Sequence, residues 1–540
     1  MVAPIIALPP TLLGADIYDV YARALDARDP RFDGLFFVGI TTTSVYCRPV
    51  CPARAADRSH RRFFASAAAA ERSGFRPCLR CRPELAPGRA PVDAVPRLAG
   101  VAAQRIAAGA LNGRSVAALA RDLGVSERHL RRAMERELGV SPVELAQTYR
   151  LLLAKQLLAD TTLPLARVAY ASGFQSLRRF NAAFRAQYRM PPSALRRPNR
   201  LSRVRTTAPE QQLLRLTLAY REPFAWDVVL TVLRGEAIPG VETICGRRYA
   251  RTARIEGHSG YLFAEDIAPS GANGRSRSAR GGAHLHHHVT VDVSASLVPA
   301  LMPLLARLRR LFDLDAEPNA IDAHLTQGGL GALVRRRPGV RLPGAVDGFE
   351  VAFRTLLRAR ARSRSSSDLA GHVARALGEP LETGVPDLGW LAPTPQRVAA
   401  AGVAGLMALG VPSRRAEATV EVARLVAGGA LRLESGRDPA AARRALLAVD
   451  GVGEKLATSI VMRAMSWPDA FPTSDRALQR AAGASSPGAL LARAERWRPW
   501  RAYAALRLWL EDEASRREPE RGAGGHSRPV GTHQEPGADP

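Results

Sequence analysis

Three observations on the sequence predict a multidomain α+β protein. The chain has 540 residues, and at roughly 100–200 residues per domain this length predicts three to five domains. Four of the five cysteines form two close pairs near the N-terminus. Helical periodicity at 97–198 and after 341 encloses a region where apolar and polar residues alternate as in strands. We expect a small α/β domain at 14–90, an all-α domain at 97–198, a small β-rich domain at 213–340, an α-domain at 341–515 and a disordered tail at 516–540.

Charge and composition restrict the partners that this chain can have. The formal net charge is +27 and the sequence pI is about 11.2, so the chain attracts phosphate groups, although a general enrichment in arginine could give the same charge. No apolar run is long enough to span a membrane, and MVAPIIALPP at the N-terminus lacks the basic start of a signal peptide. We expect a cytoplasmic protein without a membrane partner.

The paired cysteines predict a metal site. Cys47 and Cys51 are separated by three residues, and Cys78 and Cys81 by two. Each pair can reach one ion from a single turn, and four thiolates match a closed structural zinc site. In a reducing compartment this pattern favours metal over disulfides. We therefore expect one zinc ion per chain.

The segments FFVGITTTSVYCRPVC (36–51) and GFRPCLRC (74–81) resemble the N-terminal domain of the Ada alkylation-response regulators. The resemblance implies that Cys47 accepts a methyl group from a DNA methylphosphotriester, because a thiolate is the nucleophile. It also implies phosphate contacts at Thr43, Arg54 and Arg76, which could otherwise be ordinary solvated residues. Methylation reduces the formal charge of the zinc–thiolate group from two negative charges to one, so repulsion from DNA falls. The alternative is a structural zinc module without methyl transfer.

Residues 97–198 predict two helix-turn-helix units joined by a longer helix. SVAALARDLG (115–124) ends at Gly124, and Ser126 caps the next helix, 127–138. LPLARVAYASGF (163–174) and the helix at 175–188 repeat the pattern, with Leu177, Phe180 and Phe184 as the expected core face. The side chains left free to meet a DNA groove are Arg128, His129, Arg131 and Arg132 in the first unit and Gln175, Ser176, Arg178 and Arg179 in the second.

This pair of units resembles the AraC-type DNA-binding domain, and RMPPSALR (189–196) resembles the end of that domain. The resemblance implies a transcription regulator that binds promoter DNA. RNA polymerase is a further partner that such a regulator could contact. The alternative is a plain helical bundle.

Residues 213–515 resemble AlkA, the 3-methyladenine DNA glycosylase with a helix-hairpin-helix core. The resemblance implies hydrolysis of the N-glycosidic bond of alkylated bases in double-stranded DNA. The segments that carry it are EPFAWDVVLTVLRGEAIPGVE (222–242), RLFDLDAEPNAID (310–322), RPGVRLPGAVDGFE (337–350), APTPQRVAAAGVAGLMALGVPSRRAEA (392–418) and ERWRPWRAYAALRLW (495–509).

The run RALLAVDGVGEKLATSIVM (444–462) predicts the hairpin, in which Gly451 and Gly453 permit a tight turn and the next helix starts near Glu454. Backbone N–H groups at such a turn can hold a DNA phosphate. In FPTSDRALQR (471–480), the family's catalytic aspartate corresponds to Asp475. A desolvated carboxylate can stabilise the oxocarbenium-like cation and orient water. Alternatively, Asp475 only caps a helix.

This chain departs from AlkA at two places. The segment that carries the family's apolar wedge is replaced by RARARSRSSS (358–367), with Arg360 near the wedge position. An aromatic residue of the hairpin is replaced by Lys455, as in superfamily relatives that also cut the DNA strand. If burial keeps its amine partly neutral, Lys455 could give a weak abasic-site lyase activity; otherwise it is a solvated lysine at a phosphate. The overall alternative is a regulator with an inactive, clamp-like glycosylase half.

Weaker signals remain at four places. Trp226 and Trp390 could line a base pocket or belong to the core. HLHHH (284–288) offers four histidines, but a strand does not bring them together easily. Cys245 is isolated. No active site of an O6-alkylguanine methyltransferase is found, so that activity is not predicted.

Overall fold

The computed structural model describes residues 15–88, 98–196, 213–266, 287–358 and 365–522. Within these residues it confirms the predicted α+β class, with three sheets set among helices. Arg360, the loop at 270–283, His284, His286 and the last 18 residues, 523–540, lie outside the described residues.

The N-terminal module is a four-stranded sheet in the order β3-β1-β2-β4, covered by helices. Tyr21 of the first helix stacks on Phe36 with ring centroids 4.2 Å apart, and Phe63 packs edge-on against Phe36. The parallel pairing of β2 with β4 brings the two cysteine-bearing loops side by side. The elements are α1 (Ala15–Asp26), β1 (Phe37–Ile40), β2 (Val45–Cys47), β3 (Arg61–Phe64), α2 (Ala67–Arg72) and β4 (Arg76–Pro77).

The second module is all helical. Ser115, Ser126, Ser141 and Ser176 each accept a hydrogen bond from a backbone N–H of the helix that they precede, so serines set where four of the helices begin. Gly124 has a φ of +71°, a conformation that glycine adopts without a steric penalty. The elements are α3 (Leu98–Ala107), α4 (Val116–Asp122), α5 (Glu127–Leu138), α6 (Pro142–Asp160), α7 (Leu165–Ala171) and α8 (Leu177–Tyr188).

The third module is built on a five-stranded antiparallel sheet in the order β5-β9-β8-β7-β6. The two alternating segments predicted as strands are β5 and β9, which pair with each other. The elements are β5 (Leu213–Ala219), α9 (Trp226–Glu236), β6 (Glu242–Cys245), β7 (Arg248–Ile255), β8 (His258–Asp266), β9 (His288–Ser294) and α10 (Leu301–Leu311).

The C-terminal module is mainly helical and has three large apolar cores among the described residues, one around α13 and α16–α18, one around α11 and α19–α21, and one around α13–α16. The elements are α11 (Pro318–Leu325), α12 (Gly331–Arg336), α13 (Gly348–Arg358), α14 (Ser365–Leu377), β10 (Glu379–Val385), β11 (Leu388–Leu391), α15 (Pro395–Ala408), α16 (Ser413–Ala427), α17 (Pro439–Leu447), α18 (Glu454–Ala464), α19 (Arg476–Ala481), α20 (Pro487–Ala494) and α21 (Arg501–Gly522).

Two expectations about this module are wrong. The chain after 341 is not helical throughout, because β10 and β11 form a hairpin at 379–391. Long-range contacts hold this hairpin in place: Leu388 bridges to Gly240, and Thr252 donates to the carbonyl of Trp390 at 2.6 Å. The predicted tail at 516–540 also begins too early, since α21 extends to Gly522.

The modules pack directly against one another. One apolar core contains Leu151 and Leu157 of α6 together with Leu216 and Val291 of the five-stranded sheet. In the other half of the molecule, Arg437 donates to the carbonyl of Asp122, at the end of α4, at 2.6 Å. The helix-turn-helix module therefore touches the sheet and the C-terminal module as well as the N-terminal module.

Candidate functional site

The four paired cysteines meet at one point. Their sulfur atoms all lie within 4.8 Å of one another, at the ends of β2 and β4. Four thiolates at such separations fit a tetrahedral zinc ion, whose bonds to sulfur are about 2.3 Å long. Cys51, Cys78 and Cys81 are buried, whereas Cys47 is partly exposed. Cys47 is thus the least buried of the four cysteine residues.

Polar groups surround the cysteine cluster. The backbone N–H of Arg48 points at Sγ of Cys81 at 3.4 Å, and that of Arg80 at Sγ of Cys78 at 3.3 Å. The guanidinium of Arg48 donates to the carbonyl of Cys81 at 3.1 Å and forms a buried ion pair with Asp33. Such donors stabilise thiolates and orient the segments that carry them.

A second cation reaches this cluster from the helix-turn-helix module. Nζ of Lys155, on α6, donates to the carbonyl of Cys78 at 3.1 Å and to Glu84 at 2.5 Å. Lys155 was not among the site residues predicted from the sequence. Its only signal there is a lysine within the apolar run LLLAKQLLAD.

The three residues expected to contact phosphate lie in segments near the cysteines. Thr43 and Arg54 are exposed, and Arg76 is partly buried opposite Val45 in the pairing of β2 with β4. Thr43 precedes β2, Arg54 follows Cys51, and Arg76 is the first residue of β4. All three therefore lie on the segments that form the cluster. Their phosphate contacts stay a prediction.

The first recognition helix, α5, presents the side chains that were expected to be free. Arg128, His129 and Arg132 are exposed, while Leu130 and Met134 are fully buried. Arg131 is partly buried and forms an ion pair with Glu127 at 2.5 Å. Arg131 would therefore have to leave Glu127 to reach a phosphate or a base.

In the second recognition helix, α8, Gln175, Arg178 and Arg179 precede or begin the helix and are exposed. The hydroxyl of Ser176 is used as the cap, since it accepts from the N–H of Arg179 at 3.5 Å. The expectation for Leu177 is wrong: 37% of it is exposed. The buried face repeats every four residues from Phe180 through Phe184 to Tyr188, so Leu177 falls beside it and joins the surface that faces outward.

The predicted hairpin lies between α17 and α18. Gly451 has a φ of +85°, and a Cβ there would lie 3.3 Å from the carbonyl oxygen of Arg414, so the turn itself demands glycine. Gly453 has a negative φ and caps α18. A Cβ on Gly453 would have no atom of the described residues within 4 Å. Packing within the protein therefore does not explain this second glycine.

Asp475 begins α19 and is buried. Its Oδ1 accepts from the N–H groups of Ala477 and Leu478 at 2.7 and 3.0 Å, and the Trp509 side chain also donates to the carboxylate. Burial opposes ionisation, but the hydrogen bonds from Lys455 and Leu478 outweigh it and hold the pKa of Asp475 below its usual value. The carboxylate thus stays ionised although it is buried.

Lys455 lies beside Asp475, but it is not buried as the lyase hypothesis assumed. Nζ of Lys455 is 2.7 Å from Oδ2 of Asp475, while 57% of the lysine side chain is exposed. The reason is its place in the first turn of α18, on the side that faces away from the apolar core. Glu454 was missed as a functional candidate: it accepts from both the N–H and the hydroxyl of Ser474, which fixes the loop before Asp475.

The weaker candidates separate from this site. Trp226 is 1% exposed and donates to the carbonyl of Arg247, so it belongs to the core. Trp390 lines a cavity of about 540 Å³ between α9, β6 and the β10–β11 hairpin, and Asp475 is not among the residues lining it. His287 pairs with Glu222 at 2.5 Å, and Cys245 is exposed at the end of β6. Among the described residues, the only cluster suited to a metal is the four cysteines.

Comparison with known proteins places these sites in a class. The family models that match are the metal binding domain of Ada at residues 21–84, a helix-turn-helix domain at 119–198 and the AlkA N-terminal domain at 215–347. The class is thus a regulator module fused to a DNA glycosylase module.

Individual relatives agree with this class. A Mycobacterium tuberculosis protein described as "Probable bifunctional transcriptional activator/DNA repair enzyme AlkA" is 35% identical over 92% of this chain and 96% of its own length. The Escherichia coli DNA-3-methyladenine glycosylase 2 is 33% identical over 55% of this chain and 97% of its own length. The Escherichia coli bifunctional activator and repair enzyme Ada is 35% identical over 23% of this chain and 34% of its own length. The chain belongs to the family of AlkA-type bifunctional transcriptional activator/DNA repair enzymes.

Zinc fits the cysteine cluster, and the cluster has the ligands that this metal prefers. In the described part of the chain, each helix is too short or too polar to cross a bilayer.

Proposed function

We propose that this protein senses methylated DNA at Cys47, binds promoter DNA through α5 and α8, and excises alkylated bases at Asp475. The observation that carries the proposal is the pairing, in one chain, of a four-cysteine cluster in which Cys47 is the partly exposed residue with a buried, ionised carboxylate beside a helix-hairpin-helix turn. As a transcription activator, the protein would contact RNA polymerase as well.

The proposed methyl transfer is a displacement at carbon. The Cys47 thiolate attacks the methyl group of a phosphotriester, an S–C bond forms, the C–O bond breaks, and its electron pair stays on the phosphate oxygen. Bound zinc keeps the four sulfurs deprotonated at neutral pH. Thr43, Arg54 and Arg76 would hold the neighbouring phosphates. The thioether is stable, so each chain reacts once.

In the proposed base excision, the damaged base first leaves the helix stack. The N–C1′ bond then breaks and its electron pair departs with the base, which leaves positive charge on the sugar. The Asp475 carboxylate stabilises that charge and orients water, whose oxygen bonds to C1′ while its proton is released. Backbone N–H groups near Gly451 and Gly453 would hold the phosphate chain.

An assay on alkylated duplex DNA with the full chain tests the excision. Asp475→Asn should keep DNA binding but lower release of 3-methyladenine by about 10²–10³. Asp438→Asn is the matched control. Asp438 also caps a helix, α17, but it is exposed, and its ion pair is with Arg444 rather than with Lys455. Equal loss in both variants would assign the effect to capping. Binding without any excision by the wild type would favour the inactive clamp.

A methyl-transfer assay tests the sensor. Methylphosphotriester DNA should add one methyl per chain, found by mass spectrometry on Cys47. A methyl on Cys78 or Cys81, or none, contradicts the proposal and favours a structural zinc module.

The contact of Lys455 with Asp475 supports a second candidate activity, an abasic-site lyase. The amine would lose a proton to solvent, add to the sugar aldehyde and lose water to form an iminium. Loss of a proton from C2′ then forms a C2′–C3′ double bond while the 3′ C–O bond breaks and its electron pair leaves on the phosphate oxygen. Borohydride should trap the iminium as an amine on abasic duplex DNA. Lys455→Ala and Lys455→Arg should both abolish trapping, since arginine keeps the charge but cannot form the bond. An adduct that persists in these variants contradicts the lyase.

A further inference from the structure

The chain uses lysine at only two positions, Lys155 and Lys455, among 77 basic residues. An ammonium is compact and hydrogen-bonds in three directions, whereas a guanidinium is planar and larger, so the two are not interchangeable at a confined site. Lys455 lies at the glycosylase site. Lys155 has no part in the proposed chemistry, yet it is almost fully buried, which charged groups are only when paired.

Lys155 links the cysteine cluster to the helix that joins the two DNA-reading units. Its Nζ donates to the carbonyl of Cys78 and pairs with Glu84, whose side chain is 1% exposed. The same segment is tied to the end of α6 by Arg82, which donates to both oxygens of Asp160 at 2.7 and 2.8 Å. Residues 78–84 are therefore fastened to α6 at two points, Lys155 and Asp160, which are five residues apart.

Lys155, Cys78 and Cys81 are buried, so the charge of the thiolate cluster acts on Lys155 in a region remote from bulk solvent. Methylation of one sulfur removes one negative charge next to the carbonyl that Lys155 contacts. Attraction between opposite charges is much stronger in a buried site than in water, so this loss is felt across the contact. Since α6 carries α5 at one end and α7–α8 at the other, a change in its position moves both recognition helices.

We propose that Lys155 is the positioning residue that transmits methylation of Cys47 to α6 and so sets the spacing of the two recognition helices. The proposal rests on the methyl transfer proposed above. It differs from simple relief of charge repulsion at the DNA, because it requires one buried contact between the modules.

The test uses the full zinc-loaded chain and a duplex selected from a random pool by the methylated wild type. The main variant is the double substitution Lys155→Met with Glu84→Gln, which removes both buried charges and leaves no unpaired partner. The control is Arg31→Met, which removes one positive charge from an exposed side chain of the N-terminal module, the module that contains Glu84. Zinc content, methyl stoichiometry on Cys47, and affinity before and after methylation are measured for each.

We expect the wild type and Arg31→Met to gain affinity on methylation, by roughly 5–150-fold as in typical coupled sites. The double variant should take up zinc and one methyl but lose most of that gain. An undiminished gain in the double variant overturns the proposal.

Hydrogen exchange in the wild type gives an independent measurement that does not depend on any variant. Methylation should change the exchange of amides at 150–160, and unchanged exchange overturns the proposal even if the double variant fails to fold. If the wild type takes no methyl, mass spectrometry shows that the proposed methyl transfer has failed, and this proposal fails with it. A methyl on Cys47 with unaltered exchange contradicts only the role of Lys155.

Discussion

The two lysines place the same ammonium group in opposite surroundings. At the junction of sensor and reader, 2% of the Lys155 side chain is exposed and its partner Glu84 is equally buried. At the glycosylase site, 57% of the Lys455 side chain is exposed, although its partner Asp475 is buried. Each pair joins residues on different elements. The distance from Nζ to the carboxylate oxygen is short in both pairs, 2.5 Å for Lys155 and 2.7 Å for Lys455.

The difference shows how exposure of one partner changes what an ion pair can do. Lys155 and Glu84 are both almost fully buried, so bulk solvent screens them little and a nearby change of charge acts on them strongly. Lys455 is exposed and, in the proposed mechanism, would exchange Asp475 for a DNA phosphate or a sugar carbon, while Asp475 is held by the N–H groups of α19. The buried pair Lys155–Glu84 therefore suits the proposed transmission of a change of charge, and the partly exposed pair Lys455–Asp475 suits the proposed reaction with DNA.

The largest expected difference between the pairs is in stability. Lys155→Ala leaves Glu84 buried with only Arg82 beside it, and breaking such a buried pair costs about 3–5 kcal/mol. Lys455→Ala breaks a pair with an exposed partner and should cost no more than about 1 kcal/mol. Urea unfolding of the zinc-loaded chain measures both. Similar midpoints for the two variants would contradict the comparison.

The next largest expected effect is on the pH dependence of stability, and it distinguishes the two carboxylates Glu71 and Asp475. Glu71 lies between the hydroxyls of Tyr46 and Thr148, at the contact of α2 with α6. Burial raises the pKa of Glu71 to about 7, although both hydroxyls oppose that shift. Folding thus favours the protonated form of Glu71. The contribution of Glu71 to the free energy of unfolding is fully present below the usual pKa of about 4.5 and is lost as pH rises through 7.

Between pH 5 and 8 we expect a fall on the order of 2 kcal/mol in the free energy of unfolding, which Glu71→Gln removes. Asp475 has the opposite sign, because its lowered pKa adds stability that is lost only in stronger acid. Asp475→Asn should therefore leave the slope between pH 5 and 8 unchanged. A slope that persists in Glu71→Gln would assign it to another group.

The smallest effect distinguishes the two hairpin glycines. Gly451→Ala forces a side chain into positive φ and should cost about 1 kcal/mol of stability. Gly453→Ala meets nothing among the described residues, so the fold should keep its stability. If DNA approaches that turn closely, Gly453→Ala should weaken binding of duplex DNA about tenfold, the value of one lost hydrogen bond to a phosphate. Unchanged binding would remove the hairpin phosphate from the mechanism.

Sequence patterns predicted the local parts of these sites. Cysteine pairs with two or three residues between them predict metal ligands because one turn brings each pair together, and the structure brings all four sulfurs to one point. Ser126 and Gly124 mark helix ends because capping and positive φ depend on the residue itself. The β10–β11 hairpin was missed, since its short strands are held by contacts with the distant Gly240 and Thr252.

The sequence alone determined the order of the modules, the zinc ligands and the hairpin before Asp475, because short-range spacing encodes helix ends, turns and ligand pairs. Only the tertiary structure decided which side chains meet across long separations. Lys155 reaches Cys78 across 77 positions, and Lys455 reaches Asp475 while staying exposed. Such contacts depend on how whole modules pack. Burial is a property of that packing, and it sets how strongly two charges interact.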